Sequence, residues 1–337
     1  MLYSTVTAFL GFKPNEGEYK VMGLAPFGNP DKYLKLAPRF KEEPITQDHK
    51  DLAAALQKIY EKEFLRLVDS SKKLTGSKNI CLGGGCAYNG VANILAYRHF
   101  DSVHIPFAPS DAGSAIGACL ESYKGAIRDN SGPYLGPKYN KEQLKKVFKK
   151  FDSRIYHFKC SSRYLNKKIA EYISDQKIIA LFKSSMEFGS RALGNRSIIA
   201  SPEFADMRVK LNKIIKKREG FRPFAPSVTL EKAKDYFDIN EPVPYMNIVA
   251  KNKTELFKAA THIDGSCRVQ TVTEDMNPDY YNLLKEVGKK TGHEVILNTS
   301  YNLKDQTITR SPRQAIERYL NSDIDILVID NYLIKKK

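Results

Sequence analysis

The sequence predicts an α/β protein in two parts, on three observations. Short, fully apolar runs that suit buried strands alternate with stretches of helical period, and one turn-rich connector interrupts them. In the first part, Leu52, Leu56, Ile59, Tyr60, Phe64 and Leu67 fall on one face of a helix. Asn79 to Leu82 then reads as a strand, Gly83-Gly84-Gly85 as a turn and Cys86 to His99 as a helix. The unit recurs with a strand over Val103 to Ile105 and a helix opening at Pro109 to Ala115. Asn130-Ser131-Gly132-Pro133 and Gly136-Pro137 form the connector. Beyond it come a lysine-bearing helix at Lys141 to Phe151, strands at Ile178 to Phe182, Glu294 to Leu297 and Ile324 to Ile329, and a helix at Pro312 to Leu320. The expected domains are residues 1–130 and 141–337, with 131–140 as linker.

A chain of 337 residues is long enough for two cores. Its formal net charge of +16 favours anionic partners such as nucleotides, small phosphates or nucleic acid. Much of the excess is lysine in runs that suit solvated faces, at Lys145-Lys146, Lys149-Lys150 and Lys335 to Lys337. Cys81, Cys86, Cys119, Cys160 and Cys267 contain no Cys-x-x-Cys pair, so they read as reduced thiols of a cytoplasmic protein and not as a disulfide frame or zinc site. No secretory segment and no run able to span a bilayer is present, which argues against a membrane role.

The chemistry concentrates in Glu187 to Ser197, EFGSRALGNRS, which follows the apolar run Ile178 to Phe182. Arg191 and Arg196 offer planar forks for oxyanions, and the glycines would let the backbone approach a ligand. A surface loop with solvated arginines is the alternative. Similar features recur in Lys216-Lys217-Arg218-Glu219 with Phe221 to Pro226, in Arg268 of GSCRVQTV, and in Asn298 to Asn302 after Val295-Ile296-Leu297. The Gly83 to Gly85 turn could aim free N–H groups at an anion, or be a tight turn without a ligand. Asp111 could be a helix N-cap.

In order and spacing these segments resemble the nodulation-type carbamoyltransferases. That family carries E-F-G-P-R-A-L-G-N-R-S, K-x-R-E-x-F-R-P-F-A-P and N-T-S-F-N where this chain has Glu187 to Ser197, Lys216 to Pro226 and Asn298 to Asn302. The resemblance implies a truncated actin-like (ASKHA) α/β domain followed by a YrdC-like twisted α/β domain. It implies carbamoyl-adenylate formation from ATP and carbamoyl phosphate, with Arg191, Lys216, Arg268 and Ser300 acting on the phosphates. Arg196 and Asn298 would help bind the cofactor. In the first part it implies nucleotide contacts from Gly84, Gly85 and Asn89, a ribose-lining segment in Gly17-Glu18-Tyr19-Lys20 with Met22 to Pro26, of which Glu18 and Lys20 are the expected contacts, and a metal ligand in Asp111.

Departures accompany the match. Ser190 and Tyr301 replace the family's Pro and Phe, and Lys304 to Ile308 alters its apolar P-I-V. No charge that the chemistry requires is lost. Full members open with a half-domain bearing His-x-x-x-His, and no pair among His49, His99, His104, His157, His262 and His293 has that spacing. The first domain is therefore expected to be incomplete as written, with an unfinished site for a divalent metal, Fe or Mg, because one carboxylate cannot hold a catalytic cation.

Three functions follow as expectations. The first is a carbamoyltransferase passing the group to a hydroxyl of a sugar or natural-product acceptor. The second is a partner subunit that needs a chain carrying the missing N-terminal half. The third is an RNA-binding protein, against which stands the lack of interleaved aromatic and basic residues in the sequence.

Overall fold

The computed structural model describes residues 2–33, 45–123 and 132–337. The connector's first two residues, Asn130 and Ser131, lie outside the described residues. The first part is led by a 29-residue helix, Gln47–Thr75. Thr46 caps it by accepting the His49 N–H, and Gly76 ends it at φ 62°. Leu52 and Leu56 bury against Val6 of the helix Leu2–Phe9, Leu10 just beyond it, and Val21 and Leu24 of the helix Glu18–Leu24. The expected apolar face drifts by one residue further along. Val68 is buried at 2 % exposure while Leu67 stands 60 % exposed, because a 3.6-residue period rotates the face over several turns.

Strands β1 (Asn79–Cys81) and β2 (Ser102–His104) pair in parallel, as their order in the chain anticipates. The single helix expected between them is broken into a 3₁₀ turn at Gly85–Tyr88, an α turn at Gly90–Asn93 and a second 3₁₀ turn at Ile94–Arg98. Asn89 causes the break. Its backbone leaves the helical region at ψ 81°, and its Oδ1 accepts the Ala92 N–H at 3.1 Å to start a new helix. The helix Asp111–Ser122 follows, with Ser110 at the N-cap position and Asp111 in the first turn, where its charge complements the helix dipole.

The second part is built on a mixed eight-stranded sheet from β3 (Ile155–Lys159), β4 (Ile179–Phe182), β5 (Arg196–Ala200), β6 (Ala225–Thr229), β9 (Gln270–Val272), β10 (Val295–Ser300), β11 (Ile326–Ile329) and β12 (Tyr332–Lys336), in the order β3-β12-β11-β4-β5-β10-β6-β9. A separate antiparallel pair joins β7 (Val249–Lys251) to β8 (Ser266–Arg268). Strand alternation divides the core between the two faces. Ala180, Phe182 and Ile198 pack with Phe148 and Tyr319 of the helices Lys141–Phe151 and Pro312–Leu320. Ile179, Leu181 and Ile199 pack with Leu165, Ile173, Leu283 and Leu284 of the helices Ser162–Ser174 and Pro278–Thr291. The expected strands shift at their ends. β10 runs on to Ser300, which puts Asn298 and Ser300 in the sheet beside β5.

The two parts share a core. Val68, Phe100, Val103 and Ile105 cluster with Val228, Phe237, Ile248 and Phe257. Buried amides stitch the same boundary: Asn93 Nδ2 donates to Asn247 O at 2.8 Å, and Asn247 Nδ2 donates to Ile105 O at 3.0 Å. The connector itself is clamped to the 187–197 loop. Phe188 N donates to Pro133 O, Gly136 N to Met186 O and Tyr134 OH to Leu193 O.

Candidate functional site

The Glu187–Ser197 loop is organised from within. Glu187 is buried at 3 % exposure, and its Oε1 accepts the N–H groups of Leu193 at 2.7 Å, Asn195 at 2.8 Å and Arg196 at 3.3 Å. Burial pushes its carboxyl above the usual range, and the backbone donors oppose that shift. Gly189 and Gly194 are needed for packing against protein, not for approach to a ligand. At φ 112° and 114°, a Cβ on Gly189 would lie 2.9 Å from Phe107 O, and one on Gly194 would lie 2.6 Å from the Tyr280 ring. Arg196, expected at the ligand, is fully buried and serves the scaffold. Its guanidinium donates to the carbonyls of Lys183, Ser184 and Pro137, and it sits 3.6 Å from the Phe182 ring centre. Short-range sequence cannot distinguish an arginine aimed at carbonyls from one aimed at a ligand.

What this scaffold presents is Arg191. It lines a cavity of about 360 Å³ together with Arg218, Arg222, Arg268, Asn298 and Ser300. Four guanidiniums thus face one space, and no Asp or Glu is among the lining residues. Burial and the neighbouring Arg191, Arg218 and Arg222 hold Arg268 well below the usual arginine range. Arg218 is pushed down to about 9 by burial, then by Arg222. The Nε atoms of Arg191 and Arg268 are buried without a hydrogen-bond partner. Mutually repelling cations in a concave site, offset at Arg222 by Glu219 at 3.5 Å, are the electrostatic counterpart of a polyanion, and the cavity is of ligand size.

Lys216 sits one layer behind this wall. The chain reaches it through a π-helical turn, Lys210–Ile215, followed by Lys217 at φ 46°. Its ammonium donates to Ser300 O, to Asn302 O at 3.0 Å and to Asn302 Oδ1 at 2.7 Å. Burial, reinforced by Arg218, Arg222 and Arg318, drives its pKa well below the usual lysine value. Lys216 therefore bears on the cavity through Ser300, whose Oγ donates to Asn302 Oδ1 at 2.6 Å. Asn298 is 1 % exposed, and its Nδ2 donates to Ala192 O, Ser227 Oγ and Gln270 Oε1.

The first part contributes less directly than expected. Tyr19, Met22, Gly23 and Tyr88 line the cavity, whereas Glu18 and Lys20 do not. Glu18 accepts the Asn15 N–H at 2.7 Å, and Lys20 pairs with Glu219 at 2.8 Å. Gly84 and Gly85 are exposed in an open turn, where Gly84 N donates to Pro109 O. Asn89 exchanges hydrogen bonds with Gln57 at 3.0 and 3.2 Å. None of these three lines the cavity. Asp111 is exposed, and among the described residues no group of three His, Cys, Asp or Glu is placed to hold a metal. Sequence reasoning missed Tyr88, Met246 and the cavity role of Tyr19, Arg218 and Arg222. The arginines and Tyr19 lay inside segments that the sequence marks, Tyr19 between the expected Glu18 and Lys20; Tyr88 and Met246 carry no local signal, because the fold brings them from distant segments. Among the described residues no helix is long and apolar enough to cross a membrane.

Comparison with known proteins bears on this geometry. The family model described as carbamoyltransferase C-terminus matches residues 170–336, and that described as carbamoyltransferase N-terminus matches residues 34–120. Nodulation protein NolNO of Sinorhizobium fredii is 34% identical over 100% of this chain and 55% of its own length. An uncharacterised Synechocystis protein, sll1178, is 35% identical over 100% of this chain and 66% of its own. The Methanocaldococcus jannaschii protein MJ1051, also uncharacterised, is 30% identical over 99% of this chain and 71% of its own. The chain spans roughly 55 to 66% of the length of the first curated relatives it matches. The crystal structure of T. kodakarensis HypF overlaps 61% of this chain and 24% of its own at a TM-score of 0.33 and 15% identity, too loose a correspondence to bear on function.

Proposed function

The chain belongs to the carbamoyltransferase family, and we propose that its arginine-lined cavity forms carbamoyl-adenylate from ATP and carbamoyl phosphate. The observation that carries this reading is the convergence of Arg191, Arg218, Arg222 and Arg268 on one space without a lining carboxylate. Carbamoyl phosphate reacts with water to give carbamate and inorganic phosphate. A carbamate oxygen then attacks the α-phosphorus of ATP, the bond from that phosphorus to the α,β-bridging oxygen breaks, and pyrophosphate leaves. Both partners are anions, so fixed guanidiniums must offset their repulsion and hold them in line. Arg191 and Arg268, with free buried Nε groups, are suited to the phosphoryl oxygens. Asn298, whose Nδ2 is already engaged, offers its unpartnered Oδ1 to the carbamoyl NH2, Ser300 lines the same end of β10, and Lys216 fixes that end of the strand.

Transfer to an acceptor is the second half of the proposal. A hydroxyl of a sugar or natural product attacks the carbamoyl carbon, AMP leaves, and the hydroxyl proton passes to solvent. The described residues do not form a divalent-metal site around Asp111, so no step is assigned to a metal. This half is proposed to need the His-x-x-x-His segment of full family members as well, supplied in the test on a companion chain. The experiment is to supply ATP and carbamoyl phosphate to the purified chain and follow pyrophosphate release and carbamoyl-AMP by mass spectrometry. Hydroxylated acceptors are then added with and without the companion chain. Absence of both pyrophosphate and adenylate defeats the reading of the cavity.

A further inference from the structure

The cavity arginines are not all held by their own part of the chain. Arg191 lies with its guanidinium carbon 5.3 Å from the centre of the Tyr88 ring, and Arg222 lies 4.8 Å from that of Tyr19. Both rings line the cavity, and both come from the first 120 residues, whereas both arginines come from beyond residue 190. A ring face attracts a guanidinium without using any of its N–H donors, so a cation–π contact orients the group and leaves its edge free for an oxyanion. Arg222 also has a carboxylate within reach, Glu219 at 3.5 Å, but that group is shared with Lys20 at 2.8 Å.

The rings are themselves anchored. Tyr88 closes the Gly85–Tyr88 turn, and its hydroxyl accepts from Ser110 Oγ at 3.4 Å, beside the start of the helix Asp111–Ser122. Tyr19 lies on the helix Glu18–Leu24, where the next residue, Lys20, pairs with Glu219 at 2.8 Å, and Glu219 in turn reaches Arg222 at 3.5 Å. The same helix thus grips the Glu219–Arg222 segment at two points.

We propose that Tyr88 and Tyr19 are positioning residues for the adenylating site, holding Arg191 and Arg222 in the posture that receives the polyphosphate. The proposal rests on the reading of the cavity given above. It also makes the anion site a property of both parts of the chain, since neither ring belongs to the part that carries the arginines.

The test uses the full chain with Tyr88→Leu, Tyr88→Phe, Tyr19→Leu and Tyr19→Phe, and inorganic pyrophosphate as the probe. Each leucine variant is expected to raise the pyrophosphate dissociation constant about three- to tenfold. Each phenylalanine variant, which keeps the ring, is expected to recover the wild-type value to within about twofold. In the ATP and carbamoyl phosphate assay the leucine variants should raise KM more than they lower kcat. A second readout needs no ligand: phenylglyoxal labelling of Arg191 and Arg222, mapped by mass spectrometry, should quicken in the leucine variants and not in the phenylalanine ones. If wild type binds pyrophosphate and the leucine variants match it in binding and labelling, the positioning role is overturned. Equal weakening by Leu and Phe also overturns it, since the hydroxyl would then be the active group. If wild type fails to bind pyrophosphate while the labelling pattern follows the ring, the positioning role stands and the adenylation reading falls.

Discussion

Glu187 and Asn195 are joined across the tip of their loop: Oε1 of the first accepts the backbone N–H of the second at 2.8 Å, and the same oxygen also serves Leu193 and Arg196. One buried carboxylate therefore sets the shape from which Arg191 projects. Glu187→Ala should cost about 2–4 kcal/mol of stability by leaving buried N–H groups unpaired, whereas Glu187→Gln should stay within about 1 kcal/mol. The carboxyl is raised in the folded state, so the folded chain binds more protons between the ordinary and the raised pKa, and stability falls as pH rises through that window. The wild-type minus Gln difference in melting temperature should accordingly shift in favour of wild type as the pH falls from neutral towards that window. Circular dichroism melts across a pH series check both statements.

Arg268 sits among repelling cations, so the empty protein gains little from its charge. Arg268→Ala should weaken pyrophosphate binding about 10- to 100-fold, the scale of one or two charge-assisted hydrogen bonds, without lowering the melting temperature. Isothermal calorimetry beside a thermal melt makes the comparison.

Lys216 is depressed in the folded chain, so the unfolded chain binds more protons between the folded pKa and the ordinary lysine value of about 10.4, and stability rises with pH across that window. An anion in the cavity pulls the lysine back towards its usual value. Pyrophosphate binding above the folded pKa should then be coupled to proton uptake, seen as a dependence of the calorimetric heat on the buffer's ionisation enthalpy. Lys216→Met should cost about 2–3 kcal/mol, because the oxygens of Ser300 and Asn302 lose their donor.

Gly194 is fixed by sterics. Its φ of 114°, with the Tyr280 ring 2.6 Å from where a Cβ would sit, leaves no room for a side chain. Gly194→Ala should destabilise by about 3 kcal/mol or more, from strain and displacement of Tyr280 together. A urea titration with unchanged slope and a lowered midpoint is the expected signature.

Legibility in the sequence followed the range of the interaction. The helices Lys141–Phe151 and Pro312–Leu320 were legible in full, because each carries a capping box of nearest neighbours, Asn140 with Gln143 and Ser311 with Gln314. Strand β4 was legible because a strand buried on both faces is a continuous apolar run. Strands β3, β5 and β12 were not, since Arg196 opens β5 and Tyr156, Phe158 and Lys336 are exposed. At the site, the concentration of arginines was legible and their division between cavity and scaffold was not. Arg191 and Arg196 share one motif, yet one faces the cavity and the other faces carbonyls. That distinction depends on Glu187, Pro137 and Phe182, which only the folded loop brings together.

The cavity takes Tyr19 and Tyr88 from one side of the connector and its arginines from the other, and this places a constraint on inheritance. A recombination that exchanges either stretch with a relative would separate Tyr88 and Tyr19 from the Arg191 and Arg222 guanidiniums they face here. Chimeras joined at the connector should lose anion affinity according to how far the parents' ring and arginine positions have drifted apart, however well each stretch works in its parent.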